Sequence, residues 1–164
     1  MKVLCVAEKP SIAKAVANIL GGGAVTTRNS ANKYIKNYDF TFNFLMPLGN
    51  ASVTMTSVMG HLSASDFDEA YRSWKSCNPT ALFEAPISVY VPQVRCTSFL
   101  LIKQDMQAIS DNIKSEVKYA RAMVIWTDCD REGEHIGSEI VEIAREVNNT
   151  LLVKRARFSN IERM

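Results

Sequence analysis

Four acidic residues lie within seven positions of the stretch "WTDCDREGE". These residues are Asp128, Asp130, Glu132 and Glu134, and each is separated from the next by a single residue. Only Arg131 places a positive charge among them. In an extended loop, side chains two positions apart can be directed toward one point. Carboxylates gathered in this way supply the oxygen ligands that Mg²⁺ prefers, and a bound cation would relieve their mutual repulsion.

The same acids also admit a structural explanation. Acidic residues in the first turn of a helix complement the helix dipole, which stabilises the helix by ~0.3–1 kcal/mol for each residue. This explanation accounts well for Glu132 and Glu134. It accounts poorly for Asp128 and Asp130, because both precede the predicted helix and follow an apolar run directly. The metal explanation and the helix explanation both remain open from spacing alone.

A further acid, Glu8, follows the first apolar run of the chain, and Lys9 is its neighbour. In open α/β sheets, ligands bind beyond the carboxyl ends of the strands. If the strand before Glu8 lies beside the strand before Asp128, the two carboxylates meet at one edge. We therefore predict an Mg²⁺ site formed by Glu8 and the acidic triplet, which we define as Asp128, Asp130 and Glu132. Lys9 could contact a phosphate there, although a solvated lysine is the ordinary alternative.

The elements that must position these residues alternate between strand and helix. Strands are predicted at Val3–Ala7, "NYDFTF", "ASVTMTSV", "AMVIW" and "LLVKRARFS". Helices are predicted from Pro10 or Ser11 up to the glycines at 21–23, between Ser98 and Tyr119, and over "GEHIGSEIVEIAREV". The stretch from His61 to Pro86 indicates irregular structure with short helices. This alternation predicts an α/β fold with a mainly parallel central sheet flanked by helices.

Length and composition set limits on the function. The chain has 164 residues, which is enough for one domain with a sizeable core. Its net charge is only +2, which weakens the idea that this chain alone grips DNA tightly, because lysine and arginine supply most such affinity. Four scattered cysteines without a CxxC pair indicate reduced thiols in a cytosolic or nuclear protein. No run approaches the ~20 apolar residues that are needed to cross a bilayer.

The candidate residues resemble the signature of the Toprim fold, a Rossmann-like metal-binding domain shared by topoisomerases, bacterial primases and some nucleases. That signature is a glutamate after the first strand and Asp-x-Asp, often followed by x-Glu, after a later strand. Glu8 and the acidic triplet match both halves. Five blocks in order look like the eukaryotic type IA DNA topoisomerases of the topoisomerase III group. The blocks are "VLCVAEKPSIAKAVANIL", "VTMTSVMGHL", "WKSCNPTALFEAP", "VIWTDCDREGE" and "RARFS".

The resemblance implies a role for each candidate residue. Glu8 would be the acid–base residue at the scissile phosphate, and Lys9 would help to hold that phosphate. The acidic triplet, together with Glu8, would hold Mg²⁺. Arg131 would lie near the DNA. His61, in the block "GHL", receives no catalytic role, since a lone histidine after glycine is more often structural.

The resemblance also implies an activity for a longer protein. In the family, a tyrosine of another domain attacks one DNA strand and becomes linked to its 5′-phosphate, and the break is resealed without ATP. This reaction relaxes supercoils and resolves junctions during recombination and repair. None of the five tyrosines here lies in the family's Gly-Tyr-x-Ser-Tyr-Pro-Arg-like context. We therefore expect this chain to be the N-terminal part of such an enzyme and to be inactive alone.

The remaining expectations concern organisation and partners. Residues 1–158 would form the Toprim domain, and residues 159–164 would begin a following element, because "SNIE" has the spacing of a capping box. The segment Val91–Leu101 is expected to be an insertion. The family implies single-stranded segments of DNA as substrate, a RecQ-type helicase and an OB-fold protein as partners, no membrane, and residence in the nucleus.

Two other functions compete with this interpretation. Haloacid-dehalogenase-like phosphatases also place Asp-x-Asp after a strand, but in them the motif follows the first strand and its leading aspartate is the nucleophile. A degenerate Toprim domain could instead serve only as a catalytically inert Mg²⁺-binding or interaction module. The basic residues of "LVKRARF" could touch DNA, although an edge of solvated charges explains them as simply.

Overall fold

The computed structural model describes residues 1–62, 64–73, 75–90 and 100–158. Within these ranges the strands are β1 (Lys2–Ala7), β2 (Thr26–Asn29), β3 (Lys36–Asn43), β4 (Asn50–Ser57), β5 (Ala64–Phe67), β6 (Ile87–Tyr90), β7 (Ala122–Trp126) and β8 (Leu152–Arg155). The helices are α1 (Pro10–Gly21), α2 (Leu100–Val117) and α3 (Arg131–Arg145), with short 3₁₀ segments at Glu69–Tyr71 and Pro79–Phe83. The predicted strand and helix segments are confirmed, each within a few residues of its expected ends.

A six-stranded sheet forms the centre of the fold, in the order β2-β3-β4-β1-β7-β8. Strands β4, β1, β7 and β8 pair in parallel. Strand β3 pairs antiparallel with β4, and β2 pairs antiparallel with β3. The predicted α/β fold with a mainly parallel sheet is therefore confirmed. Because β1 and β7 are neighbours, with Ala7 paired to Trp126, their carboxyl ends meet at one edge.

The central strands are buried on both faces, which explains why their sequences are continuous apolar runs. Along β1, alternate side chains point to opposite sides of the sheet. Val3, Cys5 and Ala7 pack in a core that contains residues of α1. Leu4 and Val6 pack in the opposite core, against residues of α2 and α3. Helices on both faces therefore hold β1 and its neighbours rigidly beneath the loops that follow them.

Helix ends follow the predicted signals. Pro10 occupies the first turn of α1, where its missing N–H costs nothing. Gly22 ends the helix with a φ of 59°, a left-handed conformation that favours glycine. The helix predicted over "GEHIGSEIVEIAREV" was two residues too long at its carboxyl end, because α3 ends at Arg145 and Val147 is 44% exposed.

Two strand regions differ from the sequence prediction. Strand β2 has four exposed side chains and no apolar pattern, so nothing in its sequence marks it as a strand. Strand β5 lies in the region predicted to be irregular, and it pairs with β6, which follows that region, in a separate two-stranded antiparallel ribbon. The short helices predicted for the region are present as 3₁₀ segments. Residues 91–99 of the predicted insertion and residues 159–164 lie outside the described residues. No helix in the described ranges is both long and apolar enough to span a membrane.

Candidate metal and phosphate site

Glu8 and Asp128 meet where β1 and β7 end. The backbone N–H of Glu8 donates to the carbonyl oxygen of Trp126 at 3.2 Å, which continues the pairing of the two strands by one residue. The backbone N–H of Asp128 donates to Oε2 of Glu8, also at 3.2 Å. Glu8 is only 7% exposed. Its carboxylate is therefore held in place by the backbone of the loop that carries the acidic triplet.

Lys9 connects the two carboxylates. Its Nζ lies 3.0 Å from Oε1 of Glu8 and 3.4 Å from Oδ2 of Asp128. The hydrogen bond to Glu8 and the charge of that carboxylate, followed by the hydrogen bond to Asp128, raise the pKa of Lys9 above its ordinary value. The side chain is 54% exposed, so these ion pairs add little to stability. The two ion pairs show instead that one positive charge can contact both carboxylates. Carboxylate oxygens are also the hard ligands that suit Mg²⁺.

Asp130 is the N-cap of α3. Its Oδ1 accepts a 2.7 Å hydrogen bond from the backbone N–H of Gly133, and its own backbone is extended. The expectation that the helix explanation fits Asp130 poorly was wrong, because α3 begins directly after Asp130. A carboxylate has about four lone-pair sites. Capping therefore leaves Asp130 capacity for a further ligand.

Glu132 has a different partner. Its side chain is 73% exposed, and its Oε2 lies 2.7 Å from Nε2 of His61, in the loop after β4. This hydrogen bond, opposed by partial burial and assisted by Glu139, raises the pKa of His61 above its ordinary value. Arg131 is exposed at the start of α3. The structure thus brings Glu8, Lys9 and Asp128 together, and it gives Asp130 and Glu132 partners that spacing did not predict.

Arg155 supports the site, although an edge of solvated charges was expected for the basic residues of β8. One of its nitrogens, Nη2, donates to the carbonyl oxygen of Asp128 at 2.6 Å. The other, Nη1, lies 2.8 Å from Oε2 of Glu134. The side chain is only 20% exposed. Its place on β8, which is parallel to β7, carries it toward the acidic loop, and only knowledge of the strand order could have revealed this contact.

Gly133 and Thr127 fix the turn between β7 and α3. The buried hydroxyl of Thr127 donates to the carbonyl oxygen of Gly133 at 2.8 Å. A Cβ added at Gly133 would overlap the carbonyl oxygen of Asp128. The first turn of α3 therefore packs directly on the backbone of Asp128. Gly133, the first residue of the predicted helix, is the sequence signal that could have indicated this close approach.

Comparison with known proteins identifies the family. The sequence model of the Toprim domain matches residues 3–161, nearly the whole chain. The chain belongs to the Toprim family. This agrees with the parallel sheet and with a glutamate and an Asp-x-Asp motif at the ends of neighbouring strands.

The Toprim chain is similar to parts of several DNA topoisomerases. It is 50% identical over 163 residues to DNA topoisomerase 3 of Schizosaccharomyces pombe, and the match covers 99% of the chain and 24% of that relative. It is 44% identical over 160 residues to DNA topoisomerase 3-alpha of Homo sapiens, with 98% and 15% covered. It is 40% identical over 157 residues to DNA topoisomerase 3-alpha of Arabidopsis thaliana, with 96% and 16% covered. The chain thus spans between about a seventh and a quarter of the length of these relatives.

Proposed function

We propose that this chain is the Mg²⁺-binding Toprim domain of a type IA DNA topoisomerase of the topoisomerase III group. The observation that carries the proposal is the meeting of Glu8, Lys9 and Asp128 at the shared edge of β1 and β7. The chain also aligns with topoisomerases named 3 or 3-alpha over at least 96% of its length, and this similarity supports the same assignment.

Each side chain at this edge has a role suited to its position. Glu8, Asp128 and Asp130 would hold Mg²⁺, which would neutralise phosphate charge when bound. Glu8 is buried and held by the backbone N–H of Asp128, so it can present a proton donor or acceptor in one fixed place. Lys9 is exposed enough to turn from the carboxylates toward a DNA phosphate.

Glu132 and Arg131 complete the proposed set from α3. The exposed carboxylate of Glu132 would reach the cation by leaving His61, its partner in the structure. Arg131 is exposed on the first turn, and we propose that it contacts the DNA backbone.

The activity of the longer protein is part of the proposal. It would cleave and rejoin one DNA strand through a 5′-phosphotyrosine, without ATP, to relax supercoils and resolve junctions in recombination and repair. We propose a RecQ-type helicase and an OB-fold protein as its partners, and the nucleus as its location. The isolated chain should relax no negatively supercoiled plasmid in the presence of Mg²⁺, because none of its tyrosines lies in the nucleophile context. Plasmid relaxation that is lost in Glu8→Gln would contradict this expectation.

The metal and phosphate roles can be tested together. Mn²⁺ serves as a paramagnetic probe of the Mg²⁺ site, and a short single-stranded oligonucleotide serves as the phosphate. If cation and phosphate share one site, each strengthens the binding of the other by the same factor. We expect this coupling in the unmodified chain, a weaker coupling in Lys9→Met, and none in Asp128→Asn. Equal Mn²⁺ affinity with and without the oligonucleotide would refute a shared site.

A second candidate function is a catalytically inert Mg²⁺-binding or interaction module. The observation that favours it is that Asp130 and Glu132 both have protein partners, in the helix cap and in His61. The same titration separates the two candidates. Mn²⁺ binding without any effect of the oligonucleotide supports the inert module, whereas coupled binding supports the topoisomerase domain.

A further inference from the structure

Two histidines and a glutamate lie close together at α3, and none of them takes part in the hydrogen bonds and ion pairs that link Glu8 with Asp128. The donor atoms of His61, His135 and Glu139 all lie within 4.8 Å of one another. His135 and Glu139 are four residues apart on α3 and so face the same side of the helix. His61 reaches them from the loop that follows β4. Two imidazoles and a carboxylate are a ligand set typical of catalytic zinc sites.

The distances within this group suit a small tetrahedral ion. Nδ1 of His61 lies 3.3 Å from Oε2 of Glu139, and Nε2 of His135 lies 3.8 Å from Oε1 of the same carboxylate. Two ligand atoms at ~2.0–2.1 Å from a tetrahedral Zn²⁺ are separated by about 3.4 Å. The two rings are 4.8 Å apart between centroids and inclined at 63°. Small side-chain rotations would therefore bring all three donors to one ion.

Neighbouring groups already orient the ligands. Glu139 is nearly buried, and its Oε2 also accepts a 2.9 Å hydrogen bond from the backbone N–H of Leu62. Nε2 of His61 contacts Glu132, so an ion that displaces the proton of Nδ1 would leave Nε2–H donating to Glu132 and the lone pair of Nδ1 free to bind the ion beside Glu139. A carboxylate that accepts the outer N–H of a ligating histidine is the usual support of a metal site. His135 is 65% exposed, so solvent can reach the ion and supply a fourth ligand.

We propose that His61, His135 and Glu139 form a transition-metal site that binds Zn²⁺ and is separate from the site of Glu8 and Asp128. Imidazole nitrogen selects zinc-like ions, whereas the carboxylates at the sheet edge suit Mg²⁺. The ion would join the loop after β4 to α3. Bound Zn²⁺ would also keep Glu132 hydrogen-bonded to His61. Glu132 could then not ligate Mg²⁺, so the two ions would compete for this carboxylate.

Co²⁺ provides a direct test, because its visible absorption reports tetrahedral coordination. The complete chain, with Cys129 replaced by serine to remove an exposed thiol, would be titrated with Co²⁺ and then with Zn²⁺. We expect one Co²⁺ per chain with an intense visible band that Zn²⁺ abolishes. His135→Asn should weaken binding by at least about tenfold while leaving the thermal unfolding of the metal-free chain unchanged, because this side chain is exposed.

Asp128→Asn is the matched control, since it alters the sheet-edge site and leaves all three proposed ligands in place. Its Co²⁺ band and affinity should equal those of the parent chain. Absence of a visible band in the parent chain would overturn the proposal. An unchanged affinity in His135→Asn would do so as well, and so would loss of the band in Asp128→Asn.

Discussion

Substitution of Gly133 by alanine tests how tightly the first turn of α3 is packed on the acidic loop. The added methyl group would lie 2.9 Å from the carbonyl carbon and 3.0 Å from the amide nitrogen of Asp128, and it would overlap the carbonyl oxygen. That oxygen would have to move away by about 1.5 Å to reach an ordinary contact distance. This oxygen cannot move freely, because Arg155 donates a hydrogen bond to it and the backbone N–H of Asp128 is bonded to Glu8.

The expected cost follows from two opposing contributions. Forcing an extra methyl group into a well-packed region costs ~1–3 kcal/mol. Replacing glycine by alanine inside a helix gains up to ~1 kcal/mol, but Gly133 is only the third residue of α3, so this gain is smaller there. Gly133→Ala should therefore be destabilised by about 1–3 kcal/mol. A change of 1 kcal/mol moves the Tm of a chain of this size by ~2–4 °C, so a fall of several degrees is expected.

Gly137→Ala is the matched control on the same helix. Its added methyl group would meet Cγ2 of Ile125 at 3.4 Å and Oγ1 of Thr127 at 3.7 Å, which are ordinary van der Waals distances. Thermal unfolding should show this variant to be as stable as the parent chain or slightly more stable. Calorimetric titration should show weaker Mg²⁺ binding for Gly133→Ala and normal binding for Gly137→Ala. Equal stability and equal Mg²⁺ affinity of the two variants would refute the packing argument.

Substitutions at three further positions test other parts of the structure. Asp130→Ala should lose ~0.5–2 kcal/mol in denaturant unfolding because α3 loses its cap, whereas Asp130→Asn keeps a good capping residue; equal stability losses in the two variants would contradict the capping role. Ile140→Ala, at a fully buried position, should cost ~2–5 kcal/mol, and a cost below 1 kcal/mol would show that this core was placed wrongly. Burial raises the pKa of Glu116, but hydrogen bonds from Arg28 and Lys2 outweigh burial and leave the pKa below its ordinary value of 4.5. The stability from this carboxylate is therefore present above pH 4.5 and is lost as the pH falls through the lower folded-state pKa, so Glu116→Gln should flatten the acid side of the stability profile.

The arrangement that the sequence predicted best is the meeting of Glu8 with Asp128. It depended on two short apolar runs that had to be strands buried on both faces, and on the rule that ligands collect beyond the carboxyl ends of such strands. The sequence could not show that these strands are adjacent. The parallel pairing of β1 with β7 supplied that fact.

Other contacts could not be predicted because they depend on distant segments that approach one another only in the folded chain. His61 and Glu132 are 71 positions apart and meet because the loop after β4 passes beside α3. Arg155 contacts Asp128 only because β8 lies next to β7. Strand β2 was missed for a different reason, since an exposed edge strand needs no apolar side chains.

Glu8 and Asp128, 120 positions apart in the chain, are proposed to bind one divalent cation. A calorimetric Mg²⁺ titration of the parent chain, Glu8→Gln, Asp128→Asn and the double variant tests this proposal most directly. We expect each single substitution to weaken Mg²⁺ binding by about tenfold or more, and the double variant to lose much less binding free energy than the sum of the two single losses. Unchanged Mg²⁺ affinity in Glu8→Gln, or strictly additive losses in the double variant, would contradict it.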